Sequence, residues 1–272
     1  MKNYMKKGLI LLALVGAVGL ISGCGDAGKN APASSSAKPA VSSKVLKVAT
    51  EPYYPPFRYW GDSSKNQMMG FEIDLMNAVA KEMGMKVEWK DENFDRLISS
   101  VEKKDVDLAI AAITINEKRK ERIDFSDPYY KMSKYLIIVP KGSRIKTEDD
   151  LKDKIVATKK DSTSEAKVIL LEPEKIVSKD HYEDVFQAVT YGNAEAAVSN
   201  EQAAMYYLRH GGSDRLTVGG SIPTENNFGI AVAKDNGKLK EDVNKALKKI
   251  MTDGTYDKLS EKWFSDRAAE KN

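Results

Sequence analysis

The chain has 272 residues, with hydrophobic residues at 42%, charged residues at 31%, one Cys and two His. A packed core is within reach of that composition and a wholly disordered chain is excluded, as are an internal disulfide framework and a Cys-based metal cluster. Lys+Arg number 43 against 40 Asp+Glu, a formal charge of +3, so a nucleic-acid or anionic-lipid partner stays open until the charge is mapped.

In chain order, Lys2, Lys6 and Lys7 precede an uncharged apolar run over residues 8–21. Fourteen residues are short of the roughly 20 that span a bilayer, and a basic segment before a short apolar one reads as a secretory leader. The only cysteine, Cys24, directly follows Ile21-Ser22-Gly23. This resembles the bacterial lipoprotein signal, which implies cleavage after residue 23 and lipid on Cys24. The competing reading is a plain leader with a leftover cysteine. Residues 24–43 hold no aromatic, Leu or Ile and are rich in Ala, Ser, Gly and Pro, so they are expected to form a flexible tether.

From Lys44 onward, strand-like runs alternate with helical periodicity. Strands are expected at 45–50, 87–89 and 106–113, the last a continuous apolar run of the kind found in buried parallel strands. Between them, a helix at 71–83 puts Ile73, Met76, Ala80 and Met83 on one face, and a short one covers 95–102. The theme restarts with strands at 154–158, 174–177 and 195–200, and helices at 164–171, 182–190 and 203–209. A further strand at 228–234 and two helices split by Asp253-Gly254 close the chain. Such alternation argues for α/β sheets in two halves. Glu241, Asp242 and Glu261 interleave with the C-terminal lysines, so those helices read as solvated faces rather than a nucleic-acid patch.

Catalytic motifs are missing: there is no GxSxG, Walker A, HExxH, or GxGxxG after a strand, and Gly211-Gly212-Ser213 and Gly219-Gly220-Ser221 read as loop glycines with no base nearby in sequence. His181 and His210 stand 29 residues apart with no Cys nearby, so no metal site is expected. Instead, Thr114 and Arg119 follow the strand at 106–113, at the sheet edge where α/β folds bind ligands. An arginine there grips a carboxylate bidentately; the alternative is one more exposed charge in KRKER. Ser162 to Glu165 reads as a capping box at the next such edge, with Thr163 in the first helical turn. The aromatic, proline-stiffened stretch over residues 51–60 presents Tyr54 or Trp60, with Phe57 and Tyr59 packing the loop, and Phe94 opens the second helix from the same edge.

The motifs TEPYYPPF, GFEIDL, DLAIAAITINEKRKERIDFSDPYY and DGTYDKLSEKWF, in this order over residues 44–264, resemble the family-3 extracellular solute-binding proteins, the polar amino-acid receptors of ABC importers. The resemblance implies a two-lobed periplasmic-binding-protein-like fold of type II, with two hinge strands and a ligand cleft between the lobes. Residues 44–131 and 229–272 would form lobe 1 and residues 132–228 lobe 2. Carried over by position, Arg119 would bind an α-carboxylate with the N–H groups of Thr114 and Thr163. The Ala112 carbonyl and Thr114 hydroxyl would receive an α-ammonium. Tyr54 and Phe94 would stack on the ligand side chain, and Glu51 would meet its polar end, favouring Gln or a basic amino acid. Two positions depart from the pattern. Asp161-Ser162 replaces the usual Gly-Thr, and Asn200 stands where an acid normally meets the ammonium. Either Glu201 or Glu225 takes over that role, or the ligand is not an ordinary α-amino acid.

The expected protein is thus a monomeric, extracytoplasmic receptor, lipid-anchored through Cys24, that hands a free polar amino acid to a membrane ABC permease. No cofactor and no enzymatic activity are expected. The alternative is a cyclohexadienyl or arogenate dehydratase on the same scaffold, with Glu51 or Glu201 as the acid. A sensor module would need a transmembrane helix and an effector, neither of which the sequence displays after Phe264. Removing residues 1–23 leaves 40 Lys+Arg against 40 Asp+Glu. The apparent basicity belongs to the leader, and the case for nucleic acid goes with it.

Overall fold

The computed structural model describes residues 44–265 apart from residue 63. The expected leader, Cys24 and tether lie outside the described residues. The chain opens with strand Lys44–Thr50 (β1), a small antiparallel sheet of Tyr53–Tyr54 (β2), Arg58–Trp60 (β3) and Met68–Met69 (β4), then helix Phe71–Glu82 (α1). Met85–Asp91 (β5), Leu97–Glu102 (α2), Leu108–Ala109 (β6), Glu117–Lys120 (α3) and Asp124–Phe125 (β7) follow. Next come the long Tyr130–Pro140 (β8), Ile155–Lys159 (β9), Thr163–Ile169 (α4), Lys175–Lys179 (β10), Tyr182–Thr190 (α5), Ala196–Asn200 (β11) and Glu201–Arg209 (α6). Leu216–Phe228 (β12), Ala231–Val232 (β13), Gly237–Thr252 (α7) and Thr255–Phe264 (α8) complete it.

Two five-stranded sheets, ordered β5-β1-β6-β13-β7 and β10-β9-β11-β8-β12, make the two lobes. In the first, β1 runs parallel to β5 and β6 while β13 is antiparallel. In the second, β9 is parallel to β10 and β11, and β8 is antiparallel to β11 and β12. The parallel pairs carry apolar runs because helices cover the sheet, as in Ala196–Asn200, where every residue is buried. β8 and β12 pair along most of their length and end beside the first sheet, where Phe228 bridges to Thr114.

Two expectations are corrected here. The run 106–113 is buried at every residue but Asp107, yet only Leu108–Ala109 is strand. Beyond it the backbone bends, and Ala112 takes a left-handed φ of 48°. Gly219-Gly220-Ser221, which read as loop, lies inside β12 at a register shift between Val218 and Gly220. A Cβ at Gly220 would sit 2.0 Å from the Lys146 carbonyl, so the glycine permits a close backbone approach rather than a turn. Gly70 serves the same purpose before α1. With φ at 129°, an added Cβ there would meet the Phe57 carbonyl at 2.3 Å.

Candidate functional site

Four parallel strands end at one place. Glu51 follows β1, Ala112 and Thr114 follow β6, Lys159 ends β9 and Asn200 ends β11. Carboxyl ends of parallel strands leave loop backbone and polar side chains facing a crevice. The residues that meet there include Tyr54, Phe94, Thr114, Arg119, Thr163 and Asn200, around a cavity of about 20 Å³. That holds about one water molecule, so the two sides are closed on each other. A wider opening of about 490 Å³ lies on the outer side of Phe94, Arg119, Ser162 and Thr163.

One end of the cavity is organised by Arg119. Asn116 caps α3 by accepting the Arg119 N–H at 2.9 Å, which fixes where the side chain leaves the backbone. The guanidinium is half-buried and donates from Nη1 to the Thr114 carbonyl at 3.0 Å and from Nη2 to the Asp161 carbonyl at 3.4 Å. It makes no ion pair among the described residues. Burial lowers its pKa, with Tyr135 and Asp161 acting against that, yet a guanidinium stays charged in proteins. A partly desolvated cation satisfied only by carbonyls is a place for an anion. Thr114 and Thr163, from opposite lobes, touch through their hydroxyl oxygens at 3.3 Å.

The capping box forms in altered register. The Ser162 hydroxyl accepts from the Glu165 N–H at 3.2 Å, but the Glu165 carboxylate reaches back to the N–H of Asp161 at 2.7 Å rather than to Ser162. Asp161 takes a left-handed φ of 56°, which costs a non-glycine residue on the order of 1 kcal/mol. The Glu165 bond holds it there.

The other end is a buried chain of charges. Glu72, fully buried on α1, accepts from Arg58 Nη1 at 2.9 Å, from the Ala112 N–H at 2.7 Å and from the Tyr129 hydroxyl. That grip on the Ala112 N–H secures its strained backbone in the cleft. Arg58, also fully buried, gives Nη2 to Glu51 at 3.3 Å. Glu51 then pairs across the cleft with Lys159 Nζ at 2.7 Å, and Lys159 also donates to the Asp180 carbonyl. Burial alone would raise the Glu51 pKa, but His181, Lys159 and Arg58 outweigh it and hold the carboxylate below its ordinary range. Burial lowers the Lys159 pKa, and Glu51 opposes that.

Among the residues expected from sequence, the structure brings Tyr54, Phe94, Ala112, Thr114, Arg119, Ser162, Thr163 and Asn200 to one cavity. Glu51 stands behind them, reaching the cavity through Lys159. Tyr54 does not offer a free face, since its ring packs on Phe57 and Tyr182 at 4.9 and 4.6 Å. Its hydroxyl is buried without a hydrogen-bond partner among the described residues. Phe94 lies between two cations, 5.7 Å from Arg119 and 5.1 Å from Lys159. Neither acid expected to stand in for Asn200 does so. Glu201 faces outward to Lys134 at 3.0 Å, and Glu225 is exposed.

Sequence reasoning missed Arg58, Glu72, Lys159, Tyr182 and His181. For Glu72 a signal existed: an acid inside the apolar face of α1 needs a buried partner.

The family model of the bacterial extracellular solute-binding proteins, family 3, matches residues 46–266. A probable histidine-binding protein of Neisseria gonorrhoeae is 31% identical over 99% of this chain and 98% of its own. The ABC transporter glutamine-binding protein GlnH of Bacillus subtilis (strain 168) is 31% identical over 98% of this chain and 100% of its own. An ancestral arginine-binding protein bound to arginine superposes with a TM-score of 0.76 at 38% identity, covering 81% of this chain and 98% of that one. Among the described residues no helix is long and apolar enough to cross a membrane. The sequence motifs, the two-lobed fold and these likenesses agree, and the chain belongs to the bacterial extracellular solute-binding proteins, family 3.

Proposed function

We propose that this chain is the receptor of an ABC importer for an α-amino acid with a neutral, hydrogen-bonding side chain, of which L-glutamine is the type. The observation that carries the reading is the Glu51–Lys159 pair, 3–4% exposed, facing an unpaired Arg119 across one small cavity. Arg119 and the two threonines suit a carboxylate. At the far end Glu51 and Glu72 are balanced by Arg58 and Lys159, so no net negative charge remains for a cationic side chain. A carboxamide oxygen accepts from Lys159, which lines the cavity in front of Glu51, whereas a lysine or arginine side chain must first displace Lys159.

Toward the α-ammonium the site offers neutral acceptors, including the Thr114 hydroxyl and the Asn200 amide. Closure follows from contacts to both lobes, because only a ligand that binds the closed form better shifts the equilibrium. β8 and β12 serve as the hinge between lobe 1 at 44–131 and 229–272 and lobe 2 at 132–228. Lipid on Cys24 ties the receptor to the membrane beside its permease. The dehydratase reading finds no support in the charges, because Glu51 is held ionised by its cations and is a poor acid.

The test is thermal melting against the twenty amino acids, prephenate and arogenate. A ligand at 100 times its Kd adds about 2.7 kcal/mol of stability. L-glutamine is expected to give the largest shift, ahead of arginine, lysine and histidine. A larger shift from arginine or lysine overturns the neutral side-chain assignment, and turnover of prephenate or arogenate overturns the receptor reading.

A further inference from the structure

His181 begins α5 from the N-cap position without capping it. Its ring lies on Tyr53 of the other lobe, centroids 4.3 Å apart. Its buried Nδ1 atom has no hydrogen-bond partner among the described residues and stands 3.6 Å from Glu51 Oε1, the oxygen that Lys159 also holds. The side chain is 36% exposed, so protons reach it. A residue at a helix start that leaves the helix uncapped, and reaches across the cleft to an acid and an aromatic ring, is placed for closure rather than for α5.

We propose that His181 is a positioning residue that closes over Glu51 from the second lobe, and that its protonation tightens ligand binding. The inference rests on the receptor reading. A movement of a few tenths of an ångström brings Nδ1–H into hydrogen-bond range, and the bond is about twice as strong when the donor is charged. The charges around it fit the added proton. Glu51 and Asp91 face His181, with Glu72 behind Glu51. Against these three acids stand Lys159 and Arg58, both bonded to Glu51, and Lys65 on the Tyr53 hydroxyl. Glu92, beside Asp91, is matched by Lys90 at 2.9 Å. Glu51 is the carboxylate nearest Nδ1, so a protonated imidazole gains a charge-assisted bond there. Glu51 keeps its charge throughout this range, since its cations hold it below the usual carboxylate values.

The experiment is calorimetric titration of L-glutamine, or of whichever amino acid the melting panel selects, at pH 8, 7, 6 and 5.5. The window spans the pH range in which a histidine side chain can change charge. Wild type is expected to tighten about fivefold to tenfold from the top of that range to the bottom. His181→Asn, which puts a favoured N-cap residue before α5 and so keeps the fold, is expected to vary less than twofold. Asp91→Asn is expected to keep the wild-type slope. A flat wild-type profile, an equal slope in His181→Asn, or a slope that vanishes in Asp91→Asn overturns the proposal. Ligand-free closure gives a second reading, by energy transfer between dyes on Lys86→Cys and Leu170→Cys in a Cys24→Ser chain. Acid-driven approach of the lobes in wild type but not in His181→Asn supports the latch even if every amino acid fails to bind. Equal behaviour of the two chains sinks it. Failure of the whole panel to bind counts against the receptor reading instead.

Discussion

The two ends of the cavity are built on different principles. At the Arg119 end the charge has no ion pair among the described residues, and the guanidinium bonds to two carbonyl oxygens beside the Phe94 ring. At the Glu51 end four charges neutralise one another inside the protein. The first arrangement waits for charge from outside; the second is complete and offers only hydrogen bonds. A receptor that needs affinity from one group and selection from another can divide the work in this way. Arg58 joins the two ends, since its partner Glu72 also holds the Ala112 backbone beside Thr114.

The largest effect is expected where the ends are joined. Arg58→Met leaves Glu72 and part of Glu51 buried without their counter-charge. Breaking a buried pair by removing one partner costs about 3–5 kcal/mol, and urea unfolding at pH 7 measures it. A loss below about 1 kcal/mol would mean that Glu51 and Lys159 suffice alone and that the ends are independent.

Arg119→Ala sharpens the contrast from the other side. A hydrogen bond to a charged group is worth about 1.5–3 kcal/mol, so two lost contacts to a ligand carboxylate reduce affinity about 100-fold or more. Ligand-free stability is expected to change by less than about 1 kcal/mol, because an arginine without an ion pair supports the fold little. Calorimetry and urea unfolding on the same variant separate the two quantities. Unchanged affinity moves the carboxylate elsewhere.

The difference between the ends also governs what could be read from sequence. Thr114 and Arg119 are five residues apart on one loop, so their pairing was visible as a local motif. Glu51 and Lys159 are separated by 108 residues, and Glu72 and the Ala112 N–H by 40. Nothing local marks such partners. The alternation of helices and strands was legible because each helix has one apolar face, and 182–190 is helical as expected. The run 106–113 misled, since periodicity reports burial and not strand pairing. The glycines of β12 misled in the opposite sense, by looking like a turn. Capping geometry at Ser162 was anticipated in kind, but the Asp161 backbone drew the Glu165 carboxylate one residue upstream.

A smaller, selective effect is expected from Lys159→Met. Burial disfavours the charged lysine, so the methionine loses little packing. Glu51 then keeps only Arg58 as a firm partner, and the side-chain end turns negative. Affinity for L-glutamine is expected to fall a few-fold while that for L-arginine or L-lysine rises, inverting the order of the melting panel. An unchanged order would show that the pair at this end does not select the ligand.

The smallest effect concerns the acid limb of stability, and its sign follows from Glu51. Its folded-state pKa is depressed, because its cations outweigh the cost of burial. A depressed carboxylate contributes stability that is fully present above its unfolded value of about 4.3 and is lost as pH falls through the folded one. Between pH 8 and about 5.5 this contribution is constant. Urea unfolding of wild type from pH 6 down to 3 is expected to show a falling limb that Glu51→Gln lacks in part. An amide stays neutral throughout, so the variant is weaker at pH 6 but flatter below it. Equal slopes in the two proteins would place the acid sensitivity on other carboxylates and leave the Glu51 end without the electrostatic weight argued for it.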